Sequence, residues 1–417
     1  MTEPEPLHDA GARGPSRLFL NRERRLRSGW RLLLFFAALA LVVPLVTALA
    51  TTAFRAAGVP FEPREASGQP GAIVPLLVLF LAALVATLAV AAIFLRAFEG
   101  RPLATLGAPL GGGAWRSAWK SAGLGIAVGS APALLVVGAG LALGFATTEA
   151  VFAGGASRAG AIAAAALAML FVSVWEEVLW RGYALQQIAQ GAGKWIAAIA
   201  TSAIWALGHL GNDGANASGL VETGLSGVLL AWIVMRTGSI WFAFGYHVAW
   251  NVVSAVVLGL TTSGHDLSAT ILRTRLHGPD FLTGGDYGFE GSVVTGALDL
   301  TFLAIALLFA DRLPGHRELR RYFGGAPRSA GGPDSFAAPG VASGSASDPA
   351  ARSNSSAASS SIASNASGFG NRTAFPGGSG MPHSASGVPS ARVKTPDGVT
   401  QGDMGQSSGP ADRDLES

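Results

Sequence analysis

The sequence predicts an all-α polytopic membrane protein with about eight transmembrane helices and a disordered C-terminal tail. Of its 417 residues, 50% are hydrophobic and only 13% are charged, whereas about a quarter of the residues of an average soluble domain are charged. The apolar residues cluster in runs that approach the roughly 20 residues needed to cross a bilayer. Beyond residue 323 these runs stop, and Gly, Ala, Ser and Pro dominate. A simple soluble globule is therefore excluded.

Eight apolar runs are candidate spans, although the fifth and sixth are short. They are Leu32–Ala53, Ala72–Leu95, Ser121–Ala146, Gly160–Trp180, Trp195–Leu210, Leu220–Met235, Ser239–Leu260 and Val293–Ala310. The first run follows a cluster of arginines and is longer than a typical signal-peptide core. We therefore expect it to remain in the protein as the first span. The longest predicted loop, Thr261–Ser292, either covers an outer opening or simply connects two spans.

Lys and Arg set the predicted orientation, because the cytoplasmic loops of membrane proteins are enriched in them. With both termini in the cytoplasm, most of the 29 Lys and Arg residues fall on the cytoplasmic side. A composition rich in Ala, Gly and Arg points to a bacterial inner membrane. We predict a basic cytoplasmic segment (residues 1–31), an eight-helix membrane domain (32–323) and the tail (324–417). The tail lacks the apolar periodicity that would offset the entropy of ordering it, and no partner for it is identified.

Composition also limits the chemistry. The chain has no cysteine, which excludes disulfides, thiolate metal ligands and a thiol nucleophile. Catalysis would have to come from Glu, Asp, His, Asn or Ser. The net charge of +3 does not indicate nucleic acid as a partner, because the basic residues lie mostly at the ends of apolar runs, where membrane topology explains them.

Ionisable residues inside predicted spans are the strongest functional signal, because they are costly in a bilayer and usually face a bundle interior. Spans four, five and seven contain Trp175-Glu176-Glu177-Val-Leu-Trp-Arg181, Trp205-Ala-Leu-Gly-His209 and His247-Val-Ala-Trp-Asn251. Residues four apart share a helix face, so Glu177 and Arg181 are predicted to form a structural ion pair. Glu176 then points elsewhere without a partner in its own helix, and it requires a cavity.

Two further predictions concern depth and the remaining acids. Glu176 and His209 lie at nearly equal distances along the chain from Gly191-Ala-Gly193. If these glycines form the turn of a helix hairpin, the two side chains reach similar heights and can meet. Glu222 and Asp299, in spans six and eight, are interpreted as snorkelling or paired groups rather than as catalytic residues.

The three polar motifs, in this order, resemble the signature of the intramembrane protease family that includes type II CAAX prenyl endopeptidases and bacterial bacteriocin-processing or self-immunity (Abi) proteins. That family, which has a predominantly eight-helix membrane fold, shows Glu-Glu-x-x-x-Arg, Phe-x-x-x-His and His-x-x-x-Asn/Asp on successive helices. The resemblance covers about residues 115–260, the predicted catalytic core. The one departure is Trp205, which occupies the position of the family's Phe.

The resemblance implies a peptide hydrolase in which Glu176 and His209 activate a water molecule and His247 and Asn251 stabilise the oxyanion. Glu177, Arg181 and Trp205 would support them. The implied partners are the lipid bilayer and a peptide or membrane-protein substrate, and no cofactor is required. The family has also been described as metalloproteases, and zinc accepts a ligand set such as Glu176, His209 and His247, so a divalent metal stays open.

Two other functions are considered. A non-catalytic immunity or scaffold protein of the same family would use the polar cluster to hold helices together or to bind a peptide. A rhomboid-like serine protease would use Ser226, in Gly224-Leu-Ser226-Gly227, with His247 on the next span. Small residues of this kind are common in membrane helices, where they permit close packing, and a serine mechanism leaves Glu176 without a role.

Overall fold

A computed structural model describes residues 16–21, 25–59, 70–108, 114–151, 155–313 and 315. All of them lie in the first of two compact units of the chain, Met1–Ser343. The predicted tail, residues 324–417, lies outside the described residues, as do residues 1–15 of the predicted basic segment. Both assignments stay predictions.

The described residues form eleven α-helices and two strands. The helices are α1 (Ser16–Phe19), α2 (Ser28–Ala56), α3 (Ile73–Phe94), α4 (Ala114–Leu143), α5 (Gly155–Glu177), α6 (Leu185–Ala192), α7 (Lys194–Gly208), α8 (Ala217–Thr237), α9 (Trp241–Asn251), α10 (Asp280–Thr283) and α11 (Val293–Leu308), and the strands are β1 (Ala146–Ala150) and β2 (Leu272–Leu276). Three π-helical segments extend α3, α5 and α9, namely Leu95–Glu99, Val178–Ala184 and Val252–Val257.

The all-α membrane class is confirmed, but eight spans are not. Five described helices are long and apolar enough to cross a membrane, and they are Ser28–Ala56, Ile73–Glu99, Ala114–Leu143, Gly155–Ala192 and Ala217–Thr237. The other predicted spans are helical but short, with 15 residues in α7 and 16 in α11. At about 1.5 Å per residue, such helices are shorter than the roughly 30 Å of bilayer hydrocarbon.

A two-stranded antiparallel sheet was not predicted. It pairs Ala146 with Leu276 at one end and Ala150 with Leu272 at the other. The predicted third span is therefore wrong at its end, because α4 stops at Leu143 and the chain enters a strand. Threonine favours extended structure, and the Thr148 and Thr274 hydroxyls hydrogen-bond across the sheet at 2.9 Å. The sheet thus joins the end of α4 to the loop between α9 and α11.

The helices α4 and α9 pack backbone to backbone in the centre of the fold. A Cβ atom at Gly129 of α4 would lie 2.2 Å from the carbonyl oxygen of Tyr246, and one at Gly245 of α9 would lie 2.0 Å from that of Ala122. Only glycine permits this approach, as at many membrane helix contacts. The contact fixes the position of α9, which contains His247 and Asn251.

We expect Gly129→Ala to destabilise the protein, because the added methyl group has no room against α9. Overpacking of this kind costs about 1–3 kcal/mol, and thermal unfolding in detergent would measure it. Gly138 on the same helix is a matched control, since a Cβ there meets nothing within 4 Å. Equal unfolding temperatures for Gly129→Ala and Gly138→Ala would contradict the close packing.

Candidate active site

A cavity of about 450 Å³ brings the predicted site residues together. Glu176, His209, His247 and Asn251 all line it. They come from the end of α5, the turn after α7, and α9. The sequence-predicted set therefore faces one cavity, and the prediction that Glu176 needs a cavity fits the geometry.

The helices that carry these residues change their winding beside the site. Glu176 and Glu177 are the last residues of α5, and the π-helical segment Val178–Ala184 follows directly. Asn251 is the last residue of α9, before the π-helical segment Val252–Val257. π-Helical segments are rare and are frequent at functional sites. Two of them flank this cavity.

The predicted ion pair between Glu177 and Arg181 is present, and it also holds His247. The Arg181 Nη1 atom lies 2.8 Å from Glu177 Oε1, and His247 Nδ1 lies 3.0 Å from the same oxygen. A carboxylate oxygen accepts only, so His247 Nδ1 carries the hydrogen and donates. The side chain of Glu177 is fully buried. The pair fixes the orientation of the His247 ring, which the sequence did not reveal.

Glu176 is the more accessible acid of the two. Its side chain is 18% exposed, against 0% for Glu177. Its Oε2 atom lies 3.9 Å from His247 Nε2 and accepts a hydrogen bond of 2.6 Å from the indole nitrogen of Trp205. Glu176 and His247 therefore face each other at the cavity wall.

Trp205 contacts Glu176, Arg181 and both histidines of the site. Its N–H donates to Glu176, its ring lies 4.1 Å from the Arg181 guanidinium carbon, and the rings of His209 and His247 each lie 5.6 Å from it. The sequence predicts Trp205 as a supporting residue but not its hydrogen bond to Glu176. The signal was its indole N–H, because Phe has no hydrogen-bond donor.

The predicted helix hairpin is present and places His209 beside Trp205. Helix α6 ends at Ala192, Gly193 adopts a φ of +91°, and α7 follows. His209 Nδ1 lies 2.9 Å from the carbonyl oxygen of Trp205. Since a carbonyl only accepts, Nδ1 donates, and Nε2 is the acceptor in the neutral tautomer that carries this hydrogen.

Asn251 is oriented by a serine on the neighbouring helix. Its Nδ2 atom donates to the Ser173 hydroxyl at 3.0 Å, and that hydroxyl donates to the backbone of Met169 at 2.6 Å. A carboxamide nitrogen carries two hydrogens. One is used by Ser173, which leaves a second for a bound group.

A divalent metal held by Glu176, His209 and His247 was left open by the sequence. Among the described residues, no three His, Asp or Glu side chains are grouped so that they could hold a metal ion. Glu176, His209 and His247 thus line one cavity without forming a ligand cluster. The mechanism below uses the side chains alone.

Among the described residues, Ser226, the nucleophile of the rhomboid-like alternative, contacts two acids and not a histidine. The Ser226 hydroxyl lies 2.8 Å from Glu222 and 2.5 Å from Asp299. Within the described part of the chain, the hydrogen bonds of the His247 side chain go to Glu177 rather than to Ser226. Glu222 and Asp299 are therefore paired groups, one of the two interpretations that the sequence left open.

The loop Thr261–Ser292 forms part of the cavity wall. Ser263, His265 and Glu290 line the cavity. Glu290 accepts hydrogen bonds of 2.5 Å each from the Trp250 indole and the Ser263 hydroxyl. Sequence reasoning left open whether the loop covers an opening, and it gave no role to Glu290. The loop contributes directly to the site.

Comparison with known proteins finds a similar family, over part of the chain. A family model described as "Type II CAAX prenyl endopeptidase Rce1-like" matches residues 158–253, the part of the chain that contains all four predicted site residues. No curated protein and no solved structure matches the chain. Together with the apolar helices, the match supports an integral membrane protein in which residues 158–253 are similar to the Rce1-like CAAX-type intramembrane proteases.

Proposed function

We propose that the chain is a membrane-embedded endopeptidase that hydrolyses a peptide bond with a water activated by Glu176 and His209. The observation that carries this proposal is the approach of Glu176 Oε2 to His247 Nε2, 3.9 Å apart, at the wall of a cavity that His209 and Asn251 also line. The proposed base Glu176 and its partner His209 then line the same cavity as two candidate hydrogen-bond donors, which are His247 and Asn251.

In the proposed reaction, the Glu176 carboxylate accepts a proton from water as the water oxygen attacks the substrate carbonyl carbon. His209 Nε2 accepts the other hydrogen of the water and orients it. The tetrahedral intermediate then breaks its C–N bond, and Glu176 returns the proton to the leaving amine. Positioned acid–base groups of this kind contribute about 100- to 10,000-fold to a rate.

The oxyanion of the intermediate would be stabilised from α9. This role requires a hydrogen on each ring nitrogen of His247, with Nδ1–H held by Glu177 and Nε2–H directed to the oxyanion. The free hydrogen of Asn251 Nδ2 is the second donor. Both side chains are fixed before substrate binds, and preorganised donors stabilise developing charge strongly in a site that excludes water.

The proposed substrate is a bacterial peptide or a membrane-protein segment, cleaved at or within the bilayer. Apolar and aromatic side chains such as Phe80, Leu179 and Trp180 line much of the cavity, which suits an apolar segment. Comparing membrane peptides from cells with wild-type and Glu176→Gln protein tests the proposal. We expect peptides that appear only with the wild type. Identical peptide sets, with the variant folded, would favour the non-catalytic immunity or scaffold function.

Trp205→Phe restores the family's residue, and we expect it to lower kcat. The change removes the hydrogen bond to Glu176 and keeps an aromatic ring over Arg181. Hydrogen bonds to charged groups are worth about 1.5–3 kcal/mol, or roughly 10- to 100-fold. Steady-state kinetics on the identified peptide would measure the loss. Trp30→Phe, which removes an indole bond to the backbone of Leu18, is the control, and equal kinetics for the two variants would contradict the role of Trp205.

A further inference from the structure

Three helices meet at a polar cluster on another part of the cavity wall. Glu222 and Ser226 lie one turn apart on α8, Asp299 lies on α11, and Tyr246 lies on α9 beside His247. Glu222 is 7% exposed and lines the cavity, whereas Asp299 is fully buried behind it. The mechanism proposed above uses none of these groups.

The number of hydrogens available in this cluster indicates that one of its two acids carries a proton. The Ser226 hydroxyl lies 2.8 Å from Glu222 Oε1 and 2.5 Å from Asp299 Oδ2. A hydroxyl has one hydrogen, so it donates to only one of these oxygens. The other contact needs a hydrogen on the carboxyl group, because two facing lone pairs are costly in a buried site. One of the two acids is therefore protonated.

The hydrogen bonds indicate which acid carries the proton. Asp299 also accepts a bond of 2.6 Å from the Tyr246 hydroxyl, so two short contacts converge on it. Glu222 has one such contact, with Ser226. Hydrogen bonds donated to a carboxylate favour its charged form, so the two contacts on Asp299 favour an ionised Asp299 and a neutral Glu222.

We propose that Glu222 is a protonated carboxylic acid at the cavity wall and a positioning residue for the catalytic helix. Its hydrogen is donated to Ser226, the Ser226 hydrogen is donated to Asp299, and Asp299 also accepts from Tyr246. This chain ties α8 and α11 to α9, one residue before His247. Gly296 of α11 keeps the helices close, because a Cβ there would lie 3.0 Å from Glu222 Cγ.

The charges around the cluster favour a neutral Glu222. Glu176 and Glu290 also line the cavity, and among the described residues that line it there is no Lys or Arg. The titratable groups that face the cluster are Tyr246 on α9 and Glu290 and Tyr287 on the loop. The histidines that line the cavity are His209, His247 and His265. A proton on Glu222 removes one negative charge from this group.

Infrared spectroscopy of the purified full chain in detergent tests the protonation directly. We expect a carboxylic-acid carbonyl band at neutral pH that shifts in heavy water and is lost in Glu222→Gln. A wild-type spectrum without such a band, or a band that Glu222→Gln leaves unchanged, would overturn the proposal. The measurement does not use cleavage, so its failure is distinct from a failure of the proposed protease function.

Two amide substitutions then test the hydrogen-bond chain. In Glu222→Gln, the amide N–H2 donates to Ser226 as the acid does, so the unfolding temperature should stay close to the wild type. In Asp299→Asn, one acceptor becomes a donor, and either Ser226 or Tyr246 loses its acceptor. We expect the unfolding temperature to fall by several degrees. Equal effects, or a larger effect of Glu222→Gln, would overturn the assignment.

A kinetic comparison tests the positioning role. Asp299→Asn should lower kcat at least about tenfold below that of Glu222→Gln, as expected for loss of one hydrogen bond to a charged group, while KM changes little. If Asp299→Asn does not fold, the loss of the infrared band in Glu222→Gln still tests whether Glu222 is protonated. Equal kcat values in two folded variants would show that the cluster does not position α9.

Discussion

Glu176→Gln is expected to lower kcat by about 100- to 10,000-fold, the contribution of a general base. The substitution keeps the size of the side chain, and the amide oxygen still accepts the Trp205 indole hydrogen. The amide cannot take a proton from water. Single-turnover cleavage of the identified peptide by purified protein would measure the loss.

The control for this variant is Glu149→Gln, on β1. That carboxylate is 64% exposed and pairs with Arg273 on the neighbouring strand. Exposed ion pairs contribute about 0–1 kcal/mol to stability, so folding and cleavage should both persist. If cleavage survives in folded Glu176→Gln as it does in Glu149→Gln, Glu176 is not the base and the proposed mechanism is wrong.

Asn251→Ala is expected to lower kcat by roughly 100- to 1,000-fold, the cost of removing one oxyanion donor. The donor acts in the transition state, so KM should change little. Steady-state kinetics that separate kcat from KM would show this pattern. A rise in KM of the same size, with kcat unchanged, would instead assign Asn251 to substrate binding.

Ser173→Ala separates the donor from its support. The serine orients Asn251 through a 3.0 Å hydrogen bond, and its removal leaves both amide hydrogens in place. A neutral hydrogen bond contributes about 0.5–1.5 kcal/mol, so we expect a loss of roughly tenfold or less. If Ser173→Ala lowers kcat as much as Asn251→Ala does, the orientation of the Asn251 amide matters more than the presence of its hydrogens.

Helical spacing predicted the parts of the site that depend on one helix at a time. The ion pair of Glu177 and Arg181 follows from their separation by four residues, and the turn at Gly193 follows from glycine's tolerance of positive φ. The resemblance to CAAX-type proteases agrees with the family model that matches residues 158–253, because its motifs fall within single helices. These are local properties, and a single sequence contains them.

Contacts between helices could not be predicted in the same way. The second partner of Glu177 is His247, 70 residues away, and Ser226 meets Asp299 at a separation of 73 residues. Such pairings depend on which helix faces which, and composition does not determine that. The number of spans was not predicted either, because a short apolar run such as Trp195–Leu210 forms a helix, α7, that is shorter than a bilayer is thick.

Helix α9 presents different side chains to two different polar groups. His247 and Asn251 face the acid–base group, while their neighbours Tyr246 and Trp250 bond Asp299 and Glu290. One residue inserted before Tyr246 in this helix would turn everything beyond it by about 100°, so that all four side chains would lose their present partners. Insertions and deletions are therefore expected in the connecting loops and not within this helix.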